Sequence, residues 1–140
     1  MSRAFQAFGT QPSSLAAPDT FVAELRRFFT AEQLATCAVE VEEHPVDESR
    51  HVVLLTWDGR WWARFSPQTG QEVRADATQA ASLAASQRDR DKVVRSDYRI
   101  HVLFADDPDK RYTNHAVQLL DFLEDAAAMV IFDPERQDFL

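Results

Sequence analysis

The strongest pattern in the chain is a pair of apolar stretches on either side of Asp58-Gly59. Residues 51–57 read His-Val-Val-Leu-Leu-Thr-Trp, and residues 60–65 read Arg-Trp-Trp-Ala-Arg-Phe. β-Branched and aromatic side chains of this kind favour strands, and Asp-Gly supplies the two positive φ angles of a type I′ turn. A β-hairpin is predicted. With a two-residue turn, Trp57 faces Arg60, Thr56 faces Trp61 and Leu55 faces Trp62. One sheet face then carries Val52, Leu54, Thr56, Trp61, Ala63 and Phe65, and the other Val53, Leu55, Trp57, Arg60, Trp62 and Arg64. The first is the natural core face. The second interleaves tryptophan with arginine.

Around the hairpin the periodicity changes several times. Phe21, Val22, Leu25, Phe28 and Phe29 recur at helical spacing behind Asp19 or Thr20 as caps. Thr30 with Gln33 has the spacing of a capping box. Residues 38–42 alternate apolar and acidic, as a half-buried strand does, and residues 44–49 read as a polar loop. After residue 65, Pro67 to Gly70 predicts a second turn and residues 71–74 a short meander strand. Asp76 then caps an alanine-rich helix to about residue 88, with a mixed-sign tail over residues 88–92. Residues 99–104 predict a strand. Thr113 caps a helix with Tyr112 and Val117 as a hydrophobic staple, and residues 128–132 form a last apolar strand.

This order predicts an α+β domain with a mixed β-sheet. An antiparallel meander joins a C-terminal β-α-β unit with parallel strands, and the helices pack mainly on one face. Residues 9–18 are rich in Pro, Ser and small side chains, so residues 1–18 are expected to be an N-terminal arm and linker, and residues 19–140 a single domain.

Composition narrows the function classes. The chain has 140 residues, with 23 Asp and Glu against 15 Lys and Arg, a formal charge of −8. That field opposes nucleic-acid phosphates and anionic membranes and favours a basic protein partner. The single cysteine, Cys37, excludes an internal disulfide and a cysteine-based zinc site. The start of the chain lacks the apolar run of a signal peptide, and no stretch is apolar enough for a membrane span, so a cytoplasmic protein is expected. With three glycines there is no phosphate-binding loop, and no nucleophile elbow or zinc ligand set is present. No cofactor is expected.

Two function classes remain. The first is a non-enzymatic protein-binding module of inhibitor, immunity or adaptor type. Its partner face would be built from Trp57, Arg60, Trp62 and Arg64, since Trp and Arg dominate interface hot spots. The same side chains also suit an ordinary arginine-covered sheet face or a homo-oligomer interface. The alternative is a small metal-dependent hydrolase in which Asp106, Asp107, Asp133 and Glu135, at the carboxyl ends of two strands, hold a divalent cation. Asp-Pro pairs at 107–108 and 133–134 are also ordinary turn starters. The four histidines, 44, 51, 101 and 115, have no ligand spacing, and Cys37 has the look of a small buried thiol.

Overall fold

In the computed structural model the described residues are 2–10, 18–43, 51–84, 89–96 and 98–140. The expected linker core (residues 11–17), the loop around His44 and the end of the alanine-rich helix (residues 85–88) lie outside them. The elements run β1 (Arg3–Gly9), α1 (Pro18–Phe28), β2 (Cys37–Glu43), β3 (His51–Trp57), β4 (Trp61–Thr69), α2 (Gln71–Leu83), α3 (Arg90–Val94), β5 (Tyr98–Phe104), α4 (Thr113–Ala127), β6 (Met129–Asp133) and β7 (Asp138–Phe139).

The α+β class holds. The seven strands form one sheet in the order β2-β3-β4-β5-β1-β6-β7. The expected meander is β2 to β4, and β5, expected in the C-terminal β-α-β unit, pairs antiparallel with β4. The parallel ladder between the last two strands is not formed, because β1 lies between β5 and β6 and runs antiparallel to both. Residues 3–9 are therefore no arm. Phe5, Ala7, Phe8 and Gly9 are buried, Phe5 and Ala7 toward one face and Phe8 toward the other. Such two-sided burial is what an inner strand requires.

One sheet face is covered by α1 and α4. There Phe21, Leu25, Leu119, Phe122 and Leu123 pack on Val53, Leu55, Phe65, Ile100 and Ile131 in the main core. On the opposite face α2 and α3 set Val73, Ala77, Ala80, Ala84 and Val93 against Phe8, Phe132 and Phe139. This second layer sits over the β1–β7 end. At the hairpin end of β3 and β4 the described helices lie on one face only, as expected for the whole sheet.

Three local expectations change. Pro67 does not end its strand, since β4 runs on to Thr69, paired with Tyr98. Gly70, with φ 110°, makes the break instead, and residues 71–74 become the first turn of α2 rather than a strand. The reason is visible in the spacing. Val73 extends the stripe of Ala77, Ala80, Ala81 and Ala84 by one helical turn, so burying it needs a helix. The mixed-sign residues 90–94 form α3, and the two-residue β7, which hairpins onto β6, was not foreseen.

Gly9 closes β1 under the ring of Tyr98. A Cβ at this position would lie 2.0 Å from Tyr98 Cε1 and 2.2 Å from Cδ1, and that ring is buried. Gly9→Ala is therefore expected to cost about 1–3 kcal/mol through overpacking. Urea unfolding should show it as a lower midpoint with an unchanged slope.

Candidate functional site

The hairpin forms with the expected turn and a different register. Asp58 and Gly59 have φ 57° and 63°, and Arg60 N donates to Trp57 O at 3.0 Å, so the Asp-Gly turn is in place. Arg60 then stays outside the ladder. Trp57 pairs with Trp61, Thr56 with Trp62, Leu55 with Ala63 and Leu54 with Arg64. A shift of one residue exchanges the faces of one strand relative to the other. Val53, Leu55 and Trp57 now share the core face with Trp61, Ala63 and Phe65.

The four residues of the expected partner face are thereby split. Trp57 is a core residue, 1% exposed. Arg60 is exposed in the turn. Trp62 and Arg64 stay together, half-buried, on the face that carries no helix among the described residues at this end of the sheet. Across that face Arg64 lies between Leu54 and Leu103 in a row that continues to Glu40 on one side and Ala4 on the other. Neither the Trp62 nor the Arg64 side chain has a hydrogen bond or ion pair among the described residues, although the Trp62 carbonyl accepts from Ala105 N at 2.9 Å.

At the turn end, the core side holds an aromatic cluster. Trp61 stacks with Phe104 at 5.6 Å and 20° and with Tyr112 at 5.5 Å and 7°. Trp57 lies 5.8 Å from Trp61, and His115 meets Trp57 edge-on at 5.0 Å. Both indoles are satisfied: Trp57 Nε1 donates to Gln33 O and Trp61 Nε1 to Ala105 O, each at 3.1 Å. The Gln33 carbonyl is fixed by the predicted capping box. Thr30 N donates to Gln33 Oε1 and Gln33 N to Thr30 Oγ1, although the box closes a turn rather than a helix. The predicted staple is not made, because Tyr112 stacks on Trp61 while Val117 is 51% exposed.

Tyr112 also reaches the turn, where its hydroxyl donates to Asp58 Oδ2 at 2.8 Å. That bond, with a second from Thr36, holds the Asp58 carboxyl below the usual carboxylate range, and the same bond to Asp58 pushes the Tyr112 phenol up. Beside them, Arg60, Arg111, Asp106 and Asp109 line a depression of about 140 Å³. It is smaller than the roughly 300–1,000 Å³ of small-molecule sites.

The four carboxylates of the hydrolase alternative have separate places. Asp107 accepts from Arg111 N at 3.0 Å and Tyr112 N at 2.9 Å, fixing the approach to α4. Asp106 precedes it in the same loop. Asp133 is fully buried and takes Arg3 Nη2 at 2.7 Å and Glu135 N at 3.0 Å, while Glu135 lies 3.6 Å from Arg3 Nε. Arg3, at the start of β1, thus sits where the ion would. No three His, Cys, Asp or Glu among the described residues are grouped to hold a metal.

His101 lies half-buried between Ser66 and Gln6 on the face that carries α2 and α3, and burial lowers its pKa, with Arg99 adding to the effect. Cys37, at the start of β2, has its thiol pushed up to about 11 by burial, which a hydrogen bond with the Thr56 backbone only partly opposes. No helix among the described residues is long and apolar enough to cross a membrane. No protein-family model matches the chain, and no curated protein or solved structure matches it either.

The residues that reasoning on the sequence missed are Tyr112, His115 and Phe104 as neighbours of the two core tryptophans, and Leu54 and Leu103 beside Arg64. The alignment of two apolar stripes, 53-55-57 with 61-63-65, is the signal that points to them.

Two outcomes follow from the titrating groups. Because its folded pKa is lowered, Asp58 contributes stability above its ordinary value of about 3.9, and this is lost as pH falls through the lowered pKa. Tyr112→Phe should move the Asp58 carboxyl back up toward the ordinary range in an NMR titration and remove that part of the acid dependence. Cys37, with its raised pKa, should react with iodoacetamide at pH 8 roughly a hundredfold more slowly than a free cysteine. Urea should restore the ordinary rate.

Proposed function

We propose that the chain is a non-enzymatic protein-binding module of inhibitor, immunity or adaptor type, docking through the helix-free half of the sheet with Trp62 as its anchor and Arg64 beside it. The observation that carries this reading is the position of Trp62. A large aromatic side chain stands half-exposed on a rigid sheet next to an arginine without a partner among the described residues, flanked by Leu54 and Leu103. Aromatic anchors on pre-organised surfaces concentrate binding energy, and an adjacent guanidinium adds directed hydrogen bonds. The formal charge of −8 would steer a basic partner to the domain. Trp57, being in the core, has no part in it.

Affinity capture from extract of the native cell tests the proposal. Trp62→Ala should weaken the captured partner by about 2 kcal/mol or more, roughly thirtyfold in Kd, with the melting temperature little changed. If Trp62→Ala and Arg64→Ala both retained every captured protein, the proposed face would be wrong.

A further inference from the structure

We propose that the outer edge of β2 is a strand-acceptor site that takes an extended segment with basic and apolar residues in alternation. The inference rests on the protein-binding reading above and names the kind of partner it serves.

Among the described residues β2 is the terminal strand of the sheet and pairs only with β3. Asp58 N donates to Thr36 O at 3.0 Å, in line with the Cys37–Trp57 register. Hydrogen-bonded and non-bonded pairs alternate along an antiparallel ladder. Ala38, Glu40 and Glu42 therefore exchange bonds with β3, and Cys37, Val39 and Val41 turn their N–H and C=O groups away from it. Cys37 N is taken by Leu34 O in the preceding turn. The N–H groups of Val39 and Val41 have no such bond among the described residues. A row of outward backbone groups of this kind is a template for one more strand.

The side chains along this edge state what that strand must carry. Cys37 and Val39 extend the main core to its border, and Val41 continues it at 45% exposure. On the opposite face, Glu40 and Glu42 are exposed and lie on the same side as Trp62 and Arg64. An added strand would meet valines on one side and glutamates on the other. Lysine or arginine in alternation with Val, Ile or Leu satisfies both. A second copy of β2 does not. The antiparallel register that sets Val39 against Val41 places Glu40 directly against its own copy, and like charges opposite one another destabilise a pair. The glutamates thus guard the edge against self-association and leave it open to a basic strand.

The test uses a short end-capped peptide of alternating lysine and valine, a glutamate–valine counterpart, and a peptide of the first composition with its lysines in one block. The alternating lysine peptide should bind saturably and protect the Val39 and Val41 amides from hydrogen exchange. The other two should bind at least about tenfold more weakly. Val41→Pro removes one outward N–H and leaves the β3 ladder intact, so it should fold and lose the peptide. The exposed pair E40K/E42K, which leaves the backbone alone, should transfer the preference to the glutamate peptide; it decides the matter should the proline variant not fold. Equal binding of the block and alternating peptides would overturn the proposal. So would binding that survives Val41→Pro, no binding of any peptide, or dimerisation of the chain through β2. Partner capture lost with Trp62→Ala and kept with Val41→Pro would remove the edge and leave the face. The reverse would remove the face and leave the edge.

Discussion

The placement of two indoles side by side controls most of this fold. The Asp-Gly turn favours a two-residue connection, which would pair Trp57 with Arg60 and put Trp57 and Trp61 on opposite faces. The chain instead leaves Arg60 unpaired, and both rings enter one core. The magnitudes explain the choice. Fixing one extra residue outside the ladder costs about 1–2 kcal/mol. Burying the 150–250 Å² of a tryptophan at about 25 cal/mol per Å² returns roughly 4–6 kcal/mol as an upper bound. Each indole N–H also finds a carbonyl, so neither ring carries an unpaired polar atom into the core.

From that register the rest of the turn end follows. Phe104 from β5 and Tyr112 at the start of α4 both stack with Trp61. Tyr112 then lies close enough to bond Asp58 in the turn itself. The hairpin, the last residue of β5 and the entry to α4 are locked as one unit. The same shift turns Trp62 and Arg64 away from this cluster. A compact core end and a side-chain-rich outer face are two results of one residue left unpaired.

The second constraint is the central position of β1. Its insertion between β5 and β6 makes the whole sheet antiparallel and separates the two acidic strand ends. It also brings the Arg3 guanidinium to the buried Asp133, which pairs the two charges within the chain. The position of the second helical layer has its origin here too. α2 and α3 pack over Phe8 of β1 and over β6 and β7, and no described helix lies on the outer face of the hairpin.

Much of the architecture was legible because local rules governed it. The helix of Phe21 and Leu25, the meander, the Asp58-Gly59 turn and the Thr30–Gln33 box each follow from spacing or turn chemistry within a few residues. The strand character of residues 3–9 was not legible, since Ala, Gln and Gly have low strand preference and the value of that segment lies in partners about a hundred residues away. For the candidate site, the residue types Trp and Arg and their place on a hairpin came from the sequence alone. Which of them face outward came only from the tertiary structure, because the pleat has a period of two and a single looped residue reverses it. Local propensity determined that there is a hairpin; competition between burying Trp57 with Trp61 and keeping the tightest turn decided its faces.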